Sequence, residues 1–81
     1  MNTWREVPLV VGQFYCVAAD IPNRHDSLTK GQIVEFVSAD YSHYDNLTAL
    51  TFRDASSDRY IQLWWFDSDS EFSWEKLKEV S

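Results

Sequence analysis

Residues 59–66, Arg-Tyr-Ile-Gln-Leu-Trp-Trp-Phe, alternate in polarity, and that alternation fixes the class of structure open to the chain. In a strand, successive side chains point to opposite faces. One set is Ile61, Leu63 and Trp65, all apolar. The other is Tyr60, Gln62, Trp64 and Phe66, which carries an amide and two polar-tipped rings. The first set is assigned to the core. A core on one side takes only one of two adjacent tryptophans, so Trp64 faces the other way.

Further runs read as strands bounded by turn residues. Residues 12–20 form the first predicted strand, 32–38 the second and 47–53 the third, with 59–66 as the fourth. Between them lie a polar loop at 21–31 anchored by Leu28, a connection at 39–46 and a turn at 54–58. The chain has only two glycines and two prolines, so Asp, Asn and Ser must make most turns. Residues 1–8 approach the first strand, with Trp4 packing back on the domain. Leu50 and Phe52 go inward with Thr48, while Val34 and Phe36 share a face that excludes Glu35. In the first strand, Tyr15, Val17 and Ala19 alternate with Phe14, Cys16 and Ala18, and the local pattern does not choose. In the tail, Trp74, Leu77 and Val80 fit one face of a short helix, but a 3₁₀ turn followed by a closing strand at 76–80 fits as well.

Consecutive strands with short links predict an antiparallel meander. The expected fold over residues 1–81 is one small, mainly β domain. It is an SH3-like barrel or bent meander of four to five strands with a short C-terminal helical turn. A chain of 81 residues is marginal unless its core is dense. Four tryptophans, four tyrosines and five phenylalanines supply that density, since each buried ring removes a large apolar area from water. The single cysteine, Cys16, excludes an internal disulfide and reads as a small buried hydrophobe. With no signal-like opening and no apolar run of membrane-spanning length, a cytoplasmic location is expected.

The formal charge is −6, from seven basic and thirteen acidic residues. That argues against nucleic-acid binding, which needs basic density, and suits a protein partner with a basic surface. Catalytic patterns are absent. Arg24, His25, Asp26 and Ser27 are adjacent, so their side chains diverge, and they read as a polar turn. His43 lies near Asp40 and Asp45 in sequence but lacks the further ligands a metal site needs. Residues 67–71, Asp-Ser-Asp-Ser-Glu, echo the start of a calcium loop without its glycine or distal glutamate. No metal or cofactor is expected.

Taken together, Leu9, Gly12, Tyr15, Val17, Gly31, Phe36, Tyr44, Asp45, Leu47, Thr48, Leu50, Phe52, Ile61, Leu63 and Trp65 resemble the pattern of a small bacterial family of uncharacterised single domains. The resemblance implies a compact β domain with Tyr15, Val17, Ile61, Leu63 and Trp65 inward, and it implies no activity. The position of Trp64 is polar in that pattern, so a tryptophan there departs from it. Residues 28–36 also resemble an SH3 loop feeding a strand. The Ala-Leu-Tyr-x-Tyr motif of peptide-binding SH3 domains is missing, which removes the basis for proline-rich ligands.

The expected function is a non-enzymatic, acidic protein-binding domain of the inhibitor or immunity type. The candidate contact residues are Tyr41, Tyr44, Asp45, Tyr60, Trp64, Phe66, Asp67, Asp69 and Glu71. Tyr and Trp offer rigid area with polar tips, and the carboxylates suit basic groups on a partner. The alternative is an accessory module that self-associates through an aromatic face or a strand edge. Two readings of Trp64 stay open: it is covered by Trp4 or Trp74, or it forms an exposed stripe with Tyr60 and Phe66.

Overall fold

The computed structural model describes residues 7–23, 26–66 and 72–80. Its strands are β1 (Phe14–Val17), β2 (Ile33–Ser42), β3 (Leu47–Asp54), β4 (Tyr60–Phe66) and β5 (Leu77–Glu79). They form one open antiparallel sheet in the order β4-β3-β2-β1-β5. The fold is therefore mainly β, a bent meander closed by a late strand. At the C-terminus the 3₁₀ turn (Trp74–Lys76) and closing strand are the reading that holds. No helix of the described residues is long and apolar enough to cross a membrane.

Alternation sets the core as the sequence implies. Ile61, Leu63 and Trp65 of β4, Leu50 and Phe52 of β3, and Val34 and Phe36 of β2 are all buried. Thr48 is buried with them. The Phe36 and Phe52 rings meet as a cross-strand pair with centroids 5.5 Å apart, a contact worth about 0.5–1.5 kcal/mol beyond its area. β1 resolves its ambiguity by burying Tyr15 and Val17. The Tyr15 hydroxyl accepts a hydrogen bond from the Val10 N–H at 2.9 Å, so its polar tip is satisfied. Cys16 consequently lies on the outer face and is only half-buried, which corrects the expectation of a buried thiol.

Two boundaries differ from the sequence reading. β1 is shorter, because Gly12 sits in a turn at φ +88° and the strand starts only at Phe14. β2 is longer and takes in residues 39–42, which the sequence pattern assigns to a connection. The ladder to β3 continues to Ser42↔Leu47 and carries a bulge on the way. Phe36 pairs with Phe52, but Ser38 pairs with Thr51, so one extra residue enters β2 between them. After it, Ala39 and Tyr41 share the face that Val34 and Phe36 occupy before it. Bulges also bend and twist the strand that carries them, which helps this sheet to curl.

The curl is locked by the loop after β1. Ile21 and Leu28 exchange backbone hydrogen bonds at 2.8 and 3.0 Å and are both buried in the core. That pairing holds Asn23 and Asp26 against the outer edge of β4. The Asn23 side chain accepts from the Trp64 N–H at 2.9 Å and donates to the Trp64 carbonyl at 3.1 Å. Asp26 accepts from the Gln62 N–H at 3.2 Å. Side chains thus do for β4 what a sixth strand would do, and part of an otherwise open edge is covered.

A second tie sits at the opposite end of the sheet. Buried Asp54 accepts from Ser56 N–H at 2.8 Å, Ser57 N–H at 3.1 Å and the Ser56 hydroxyl at 2.7 Å, and its other oxygen accepts from Gln32 Nε2. Gln32 Oε1 in turn accepts from the Thr29 N–H at 3.0 Å. The β3–β4 turn and the loop before β2 are thereby joined. These donors, Gln32 first and then Ser56, hold the Asp54 carboxyl well below the usual carboxylate range.

Candidate functional site

The outer face of β2, β3 and β4 carries the surplus aromatic residues. The register aligns Ser42, Leu47 and Phe66 in one row across the sheet. Asp40, Ala49 and Trp64 form the next row, followed by Ser38, Thr51 and Gln62. Ala49 has only a methyl group where its neighbours in the row are long. The result is a shallow pocket of about 300 Å³ lined by Ser42, Asp45, Leu47, Ala49, Gln62, Trp64 and Phe66.

Trp64 is half-buried and fixed in place. Its Nε1–H donates to Gln62 Oε1 at 2.8 Å, and its ring meets Phe66 edge-on with centroids 6.4 Å apart. Trp74 does not cover it: that ring packs at 5.3 Å on Trp65, beneath the sheet, together with Phe72. One proposed cover for Trp64 is therefore a cover for its neighbour instead. The other, Trp4, lies outside the described residues.

The pocket rim is acidic. The turn at 43–46 brings Asp45 back beside Ser42, helped by Asn46 at φ +53°. The Ser42 hydroxyl donates to Asp45 at 3.2 Å and accepts from the Asp45 N–H at 3.3 Å. Among the described residues no basic group pairs with Asp40 or Asp45. Arg53 is committed elsewhere, to Glu35 at 2.8 Å and Asp58 at 2.6 Å, and these partners hold its pKa above the ordinary value.

The candidate residues from the sequence divide accordingly. Trp64, Phe66 and Asp45 come together at the pocket. Tyr60 is on the same face, 64% exposed, but it pairs with Arg53 at the far end of β4. Tyr44 projects from the turn at 98% exposure. Tyr41 pairs with Thr48 on the opposite face, and its ring stands edge-on to His43 at 4.9 Å. Asp67, Asp69 and Glu71 lie outside the described residues, as do Arg24 and His25. Ser42, Leu47, Ala49 and Gln62 were not anticipated. A four-residue turn at 43–46 would have set Ser42 opposite Leu47 and Ala49 in the next outward row, whereas Gln62 follows from alternation with Trp64. Among the described residues no three His, Cys, Asp or Glu side chains converge as metal ligands would.

No family model, curated protein or solved structure matches the chain.

Proposed function

We propose that the chain is a non-enzymatic binding domain that blocks a protein partner, as an inhibitor or immunity protein does, through the outer face around Trp64. The observation that carries this reading is a half-buried tryptophan, fixed by Gln62 and Phe66, at the edge of an acid-rimmed pocket on a hydrogen-bonded sheet. Interfaces draw most of their energy from a few Trp, Tyr and Arg anchors. A ring already held in position loses little freedom on binding. The net charge of −6 would speed association with a basic surface. Self-association through a strand edge has less support. Asn23 and Asp26 occupy backbone groups of β4, and β5 has only three residues, with Lys78 and Glu79 exposed.

The test is affinity capture from the native host, followed by a binding and inhibition assay with the recovered protein. A one-to-one complex that inhibits the partner is expected. Trp64→Ala should weaken it by about 30-fold or more, the loss of a hot-spot residue. A complex indifferent to Trp64→Ala would refute the reading, as would failure to recover any partner.

A further inference from the structure

We infer that the pocket beside Trp64 receives an arginine side chain of the protein partner; this deepens the binding reading above and rests on it. The first argument is size. About 300 Å³ is at the low end of ligand pockets, which suits one side chain rather than a cofactor. The second is shape. In the row Asp40–Ala49–Trp64 the strands are about 4.8 Å apart. The methyl of Ala49 therefore leaves a slot beside the Trp64 indole, and Asp45 is the carboxylate that lines it.

The third argument is charge. Among the described lining residues none is basic and one is acidic, and the acceptors they offer are the Asp45 carboxylate and the side-chain oxygens of Ser42 and Gln62. With two aromatic rings and Leu47 supplying the remainder, the pocket is matched to a group that is cationic, rich in donors and comfortable against a ring. A guanidinium has those properties. It is flat, weakly hydrated, stacks on aromatic faces and presents five donors in a fixed fork. An ammonium is compact and strongly hydrated, so it gives up more on leaving water. The chain does not fill the slot with its own Arg53, which Glu35 and Asp58 hold at the far end of β3.

The experiment titrates the intact protein with three blocked tripeptides, glycine-X-glycine, in which X is arginine, lysine or citrulline. Citrulline keeps the shape of arginine without its charge. The readouts are the Trp64 indole N–H and the Asp45 amide in proton–nitrogen correlation spectra. Saturable shifts are expected with arginine, weaker binding with lysine and none with citrulline. Asp45→Asn should weaken the arginine peptide about tenfold, the loss of a hydrogen bond to a charged group. Ala49→Leu, which fills the slot from an outward-facing position, should abolish binding while leaving the rest of the spectrum folded. Absence of saturable shifts with arginine overturns the inference, as does equal binding of citrulline or wild-type binding by Ala49→Leu. If arginine fails but a partner is still captured in a Trp64-dependent way, the arginine pocket falls and the blocking function stands. If arginine binds and no partner is captured, the pocket stands and the blocking function falls.

Discussion

Asn23→Ala should destabilise the domain although Asn23 lies in a loop outside the strands. Its amide replaces a missing strand along β4, with bonds of 2.9 Å from the Trp64 N–H and 3.1 Å to the Trp64 carbonyl. Each bond contributes about 1 kcal/mol net, so losing both costs about 2 kcal/mol. A domain of 81 residues has a total stability of about 4–12 kcal/mol at ordinary values per residue. The loss is thus a large share of it, and corresponds to a fall in Tm of about 8–16 °C. Urea unfolding followed by tryptophan fluorescence measures the loss, with the midpoint moving and the slope unchanged. Hydrogen exchange at the Trp64 amide measures its location, since protection there should fall. Asp26→Asn is the control: it keeps an acceptor for the Gln62 N–H and should stay within about 0.5 kcal/mol of wild type. The reasoning is refuted if Asn23→Ala shifts stability by less than about 0.5 kcal/mol with Trp64 protection intact. It is equally refuted if both variants fall together.

Three other outcomes are expected. Leu28→Ala removes the buried anchor of the same loop and should cost about 2–5 kcal/mol in urea unfolding; a near-neutral result would mean the loop is not held by the core. Gly31→Ala should cost about 1–2 kcal/mol in thermal melting from backbone strain alone, because Gly31 sits at φ +92° and a Cβ there would meet no atom within 4 Å. The Asp54 carboxyl is depressed in the folded state, so its contribution is fully present above the unfolded value near 3.9 and is lost as pH falls through the lower folded value. Wild type should therefore lose urea stability below about pH 4, and Asp54→Asn should show a flatter acid limb; parallel limbs would remove Asp54 as the cause.

Period-two alternation made the inner face of β4 and β3 readable, because a residue's parity alone decides its side. Ile61, Leu63 and Trp65 are buried for that reason, and so are Leu50 and Phe52. The same logic breaks where the chain adds a residue. In β2 the bulge between Phe36 and Ser38 inverts parity, so Tyr41 faces the core side although its position matches that of solvent-side Glu35. No local pattern marks the insertion, since Val37 and Ser38 suit either side. The pocket was half readable. Trp64 and Phe66 follow from alternation, but Ala49 matters only because the register sets it opposite Trp64. The bonds from Asn23 and Asp26 to β4 join residues far apart in the chain, and single-sequence patterns carry no trace of such pairs. Trp65 shows the remaining gap: its burial is visible in the sequence, whereas its cover by Phe72 and Trp74 depends on where the C-terminal segment docks.

The position of β5 beside β1 has a kinetic consequence. β2, β3 and β4 are joined by turns of four and five residues and can zip up as neighbours. β1 can pair with β2 across the loop at 18–32, but its other edge must wait for β5, which places Tyr15 opposite Glu79 far along the chain. Closing so long a loop costs about 2 kcal/mol more entropy than closing a short turn, so β5 joins last. Pulse-labelled hydrogen exchange should find the amides of β3 protected before that of Ala18, which bonds to the Lys76 carbonyl across the β1–β5 seam at 2.7 Å. Until that seam forms, β1 presents an open edge to any other nascent chain, and the time the last strand takes to arrive sets how long the domain is exposed to misassembly.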